Sequence, residues 1–109
     1  MTETLQVLGQ LNPPASTLTP LYTCGSALGA AASSISVCNQ DIVPVLFNVS
    51  VAVGGAADTP AQYLYYQLSL DTNDTFIATV GITLALNDVV RVWASSANVS
   101  FQLFGVQVS

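Results

Sequence analysis

The stretch Val43-Pro-Val-Leu-Phe-Asn-Val-Ser-Val-Ala-Val53 decides the fold class. Its odd positions are Val43, Val45, Phe47, Val49, Val51 and Val53, and Pro44, Leu46, Asn48, Ser50 and Ala52 lie between them. Successive side chains of an extended chain point to opposite sides, so this period of two gives one unbroken apolar face. Valine, branched at Cβ, also packs well on a pleated surface. A half-buried strand is predicted, its odd face turned inward and its end marked by Gly54-Gly55.

The same period recurs on both sides. Gln62 to Leu70 predicts a strand with Leu64, Tyr66, Leu68 and Leu70 on one face. Tyr63, Tyr65, Gln67 and Ser69 then share the other. Asp71-Thr-Asn-Asp74 reads as a turn, because Asp and Asn bond back to their own backbone. Phe76, Ala78, Val80, Ile82, Leu84 and Leu86 alternate beyond it, with Gly81 as a bend or bulge suited to a crossing between sheets. Asn87-Asp88 is a further turn, Val89 to Ala94 a short strand, and Val99 to Val108 a last strand kinked near Gly105. Upstream, Leu5 to Leu11 predicts an edge strand ended by Asn12-Pro13-Pro14, since proline cannot donate to a ladder. Thr17 to Cys24 and Ser33 to Asn39 are two more strands, with a loop over Gly25 to Ala32. No long segment carries the helical period. About eight short strands with turns between them predict an all-β fold, an antiparallel β-sandwich or jelly roll, in one domain over residues 1–109.

Composition then narrows the function. Charged residues are 6% of the chain, against about 25% in an average soluble domain. Arg91 is the only base, and there is no Lys or His. Nothing can neutralise a run of phosphates, so no nucleic-acid partner is expected. The bases of catalytic triads, imidazole zinc sites and the P-loop lysine are missing too, so neither an enzyme nor a cofactor is expected. A membrane-spanning helix needs about 20 consecutive apolar residues, and polar residues interrupt every apolar run well short of that. The opening Met1-Thr-Glu-Thr has an acid where a signal peptide has basic residues, which points to synthesis in a cytosol. Ser, Thr, Asn and Gln total 34, against seven charged residues. Such a surface is poor at keeping molecules apart and suits packing against neighbours. A homo-oligomer or assembly subunit is the expectation.

Six segments carry a resemblance: Val7-Leu-Gly-Gln-Leu-Asn-Pro13, Leu21-Tyr-Thr23, Val49-Ser-Val-Ala-Val-Gly-Gly-Ala-Ala-Asp58, Gln62-Tyr-Leu-Tyr-Tyr66, Asn73-Asp-Thr-Phe76 and Gly81-Ile-Thr-Leu84. They resemble small virion structural proteins of tailed bacteriophages, cyanophages among them. The resemblance runs from about residue 5 to the end of the chain and contains no catalytic signature. It implies a β-sandwich displayed on a particle, either decorating the capsid or belonging to the tail. The partner it implies is a phage coat protein or another virion protein.

Few residues can carry chemistry, and each has a plain alternative. The acids Asp58, Asp71, Asp74 and Asp88 all fall in loops, where oxygen ligands gather for Ca²⁺, but their spacing fits no calcium loop. Cys24 and Cys38 are fourteen apart, able to bridge neighbouring strands or to stay reduced as small hydrophobes. Asn48-Val-Ser50, Asn73-Asp-Thr75 and Asn98-Val-Ser100 fit the glycosylation pattern, which acts only in a protein secreted by a eukaryote. Tyr63 and Tyr65 share one strand face, and Arg91 and Trp93 share another, opposite Val90 and Val92. Tyr, Trp and Arg dominate interface hot spots, which makes these four the candidate interface residues. Their alternative is an ordinary core role, with Arg91 paired to Asp88 or another loop acid. The leading expectation is therefore a capsid decoration or cement protein that binds coat subunits through uncharged faces. A tail- or fibre-associated module that adheres to a host glycan is the alternative, and a free lectin-like module is a third.

Overall fold

A computed structural model describes residues 1–109: eight strands, two single 3₁₀ turns and no α-helix. The strands are β1 (Glu3–Leu11), β2 (Thr19–Thr23), β3 (Ala30–Asn39), β4 (Val45–Ala52), β5 (Tyr63–Leu70), β6 (Thr75–Leu84), β7 (Val89–Ala94) and β8 (Val99–Val108). β4 pairs with β5, β3 with β6, β2 with β7 and β1 with β8, all antiparallel. These pairs nest inside one another like a single long hairpin folded at the β4–β5 connection. Rolling that ribbon brings β8 beside β3 and β7 beside β4. Two four-stranded sheets result, ordered β1-β8-β3-β6 and β2-β7-β4-β5. That arrangement is a jelly roll.

The inward faces meet in one core of 19 buried residues. Val45, Phe47 and Val49 of β4 lie in it, as the alternation requires. Phe47 stacks against Phe76 and Phe101 at centroid distances of 5.4 and 6.3 Å. Truncating so large a buried ring to alanine removes about 3–5 kcal/mol. The ends of the opening stretch do not join the strand. Val43 is half exposed beside Pro44, and Val53 leaves the sheet in the 3₁₀ turn Val53–Gly55. β3 starts earlier than its sequence suggests, because Ala30 and Ala32 are bonded into ladders on both sides. Pairing there overrides the weak strand preference of alanine.

A line of bulges crosses the first sheet. The register slips at Leu8 of β1, at Ser33 of β3 and between Thr79 and Ile82 of β6. Gly81 therefore does mark a bulge, but β6 stays in one sheet along its whole length and makes no crossing. Gly105 sits on the same line, where β8 presses on the Ala31 carbonyl and the Ala32 Cα so closely that a Cβ has no room.

β5 departs furthest from its expected alternation. The ladder with β4 slips twice, around Leu64 and around Gln67, and Gln67 takes a positive φ of 52°. Each slip inverts the side of the sheet that the following residues face. Tyr65 and Leu70 turn inward, while Tyr63 and Tyr66 turn outward. Pairing Tyr63 with Tyr65 on one face is thus wrong. Asn48 holds the second bulge: its Oδ1 accepts the Gln67 N–H at 2.6 Å and the Gln67 Nε2 at 3.1 Å.

Both cysteines are free. Cys24 is buried after β2, its thiol toward the Ser26 carbonyl, whereas Cys38 pairs with Ser100 and Thr75 within the other sheet. No helix is long and apolar enough to cross a membrane.

Candidate functional site

The outward face of the β1-β8-β3-β6 sheet follows directly from the registers. Phe101 and Leu103 point into the core, so Gln102, Phe104 and Val106 point out. Their partners on β1 are Gln10, Val7 and Leu5. Their partners on β3 are Ser36, Ser34 and Ala31, and those meet Ile77, Thr79 and Thr83 on β6. One side is therefore an apolar patch of Leu5, Val7, Phe104 and Val106. The other is a field of hydroxyls. Leu5 is 83% exposed and Ile77 70%, so neither is covered within this chain. No charged side chain lies on this face between its apolar rim and Thr75; Glu3 stands only at the far end of β1. The bond from Gln10 Nε2 to Gln102 Oε1 is neutral as well, at 3.2 Å.

The opposite sheet carries most of the residues singled out in the sequence. Ser50 of β4 pairs with Tyr63 on one side and Arg91 on the other, and Asn48 pairs with Trp93. Tyr63, Arg91 and Trp93 thus share one outward face. Tyr65 does not: it stacks edge-to-face on Phe76 at 5.2 Å and belongs to the core wall. Arg91 is paired with neither Asp88 nor another acid at its tip. Its Nη1 and Nη2 donate to the carbonyls of Ala56 and Gly55, at 2.9 and 3.1 Å. The arginine thus anchors the β4–β5 connection against the sheet and is not free for a partner.

That connection builds a concave site. Asp58, Thr59, Pro60, Tyr63 and Tyr66 enclose an open cleft of about 590 Å³. Tyr63 donates its hydroxyl to Asp58 Oδ2 at 3.0 Å. Burial and then the neighbouring Asp58 push the Tyr63 phenol above its usual range, so it remains a donor. Tyr63 and Tyr66 meet edge-to-face, with centroids 5.1 Å apart and planes at 83°. Tyr66 was hidden from a strict period of two, because only the slip at Leu64 brings it beside Tyr63. Gln67 in a left-handed conformation leaves no sequence signal.

Three other acids serve turns. Asp88 accepts from the Gly54 and Ala85 N–H groups at 2.8 and 2.9 Å. Those bonds, Ala85 first, hold its carboxyl below the usual range. Asp41 is lowered likewise by the Ser96 hydroxyl and then the Ile42 N–H. Asp74 accepts from the Thr75 N–H. No three acids or thiols come together in metal-binding geometry. No family model matches this chain, and no characterised protein or solved structure matches it.

Proposed function

We propose that the chain is a structural subunit of a phage particle, a decoration protein that attaches to coat subunits through the outward β1-β8-β3-β6 face. The fold alone does not choose this role, since jelly rolls serve capsids, lectins and enzymes alike. The observation that carries it is a face with no charge beyond Glu3 at its end, with Leu5, Val7, Phe104 and Val106 grouped beside hydroxyl rows. Contiguous exposed apolar surface of this kind marks interaction sites. Neutral hydroxyls at its side form hydrogen bonds across an interface without desolvating an ion. The resemblance of the six segments to phage virion proteins supports the same reading.

The interface thereby moves from the four residues picked by type to one sheet face. Tyr65 is a core residue, and Arg91 is engaged with the chain's own loop. Quantifying the protein against the coat protein in purified particles tests the reading. Copies in proportion to coat subunits are expected. A few copies per particle would place the chain in the tail instead.

A further inference from the structure

We infer that the Tyr63–Tyr66 cleft is a binding site for a neutral hexopyranose, a site separate from the attachment face and on the opposite sheet. The volume, about 590 Å³, lies within the range of small-molecule sites. Tyr66 is 67% exposed, and the perpendicular Tyr63 ring stands beside it. The pair gives a floor and a wall for a ring with one apolar face. Polar groups surround that aromatic corner. Tyr63 has its donor engaged by Asp58 Oδ2, which leaves the other carboxylate oxygen and the phenol lone pairs as acceptors. The Thr59 hydroxyl adds one group that both donates and accepts.

This set selects its ligand by chemistry. Hydroxyl-rich ligands supply the donors that the carboxylate accepts in charge-assisted bonds. Anionic sugars and phosphates meet Asp58 in a chain of net charge −5 and are repelled. A polyproline segment also stacks on aromatic rings. It presents carbonyl acceptors and few donors, however, and the cleft offers mostly acceptors. A single carboxylate lines the cleft, so the paired carboxylates of glycoside hydrolysis are not provided. The site binds and does not cleave.

The cleft is also preformed. Arg91 holds the carbonyls of Gly55 and Ala56, Asp88 holds the Gly54 N–H, and Gln62 Nε2 donates to the Ala57 carbonyl at 2.9 Å. Pro60 fixes the start of the 3₁₀ turn Pro60–Gln62. A loop tied at so many points loses little freedom when a ligand settles.

The test is an amide-shift titration of the whole chain with methyl glycosides of glucose, galactose and mannose. N-Acetylneuraminic acid and a proline-rich peptide serve as comparison ligands. At least one neutral glycoside should saturate the shifts of residues 57–67 at millimolar concentration. Tyr66→Ala, at an exposed position, should weaken it at least about tenfold, with Asp58→Asn and Thr59→Ala also weaker. Ile42→Ala, exposed in the β3–β4 connection and outside both surfaces, should bind as the parent does. Spectral dispersion identifies any variant that fails to fold, and Thr59→Ala then replaces it. No saturable shift with any neutral glycoside overturns the proposal, as does preferential binding of the anionic sugar or of the peptide. Particle attachment is measured separately, so failure here leaves the attachment face untouched.

Discussion

At the scale of single residues, the packing of the sandwich depends on a few side chains whose surroundings leave no latitude. Gly105 is one, because a Cβ there collides with the Ala31 carbonyl and the Ala32 Cα, both backbone and neither able to swing aside. Gly105→Ala should therefore lower stability by about 2–4 kcal/mol in denaturant unfolding. An unchanged midpoint would show that the bulge line relaxes freely. Tyr22 is another. Its hydroxyl donates to Gln107 Oε1 at 2.8 Å across the two sheets, and burial, with Cys24 beside it, raises its pKa from 10.0 to about 12. The folded state thus holds the phenolic proton more tightly than the unfolded chain. The stability this residue supports is complete below pH 10.0 and is lost as the pH rises through about 12. Alkaline titration of the thermal midpoint should show that loss, and Tyr22→Phe should remove most of it. Glycine at position 105 was legible as a kink in the sequence, whereas the tyrosine's partner across the core was not. Sequence shows local backbone demands but not which strands meet.

Among the elements, β4 and β5 show both what alternation reveals and where it fails. Phe47 and Val49 sit in the core where a period of two places them, since β4 is paired on both sides and has one register to satisfy. β5 lies at the sheet edge, with one partner only, and an edge strand accommodates bulges without breaking a second ladder. Reading β5 as unbroken sends Tyr65 outward and Tyr66 inward, the reverse of their places. The cleft was unreadable for that reason, while the identity of the strand was plain. Asn48 is the element's fastening. Asn48→Val removes the acceptor for the Gln67 N–H and Nε2. Loss of about 1–3 kcal/mol is expected, together with amide-shift changes concentrated in residues 63–68. A stable variant with an unchanged spectrum in β5 would mean that the bulge needs no fastening.

For the molecule as a whole, the two sheets carry different surfaces. One outward face is open and carries no charge except Glu3 at the end of β1, and the other is tied to its own β4–β5 connection by the single arginine. The charge balance was evident from composition, but its near absence from one face needed the registers. The proposed attachment through the open face would rest on apolar burial and neutral hydrogen bonds. Salt screens exposed charges over about 8–10 Å at physiological strength, so an ionic clamp loosens as salt rises and an apolar one does not. The most direct measurement is retention of the protein on purified particles in molar NaCl, compared among the parent chain, Val106→Asp and Asp58→Asn. Retention of the parent and of Asp58→Asn, with release of Val106→Asp, is the predicted result. Release of the parent by salt, or an undiminished hold by Val106→Asp, would contradict it.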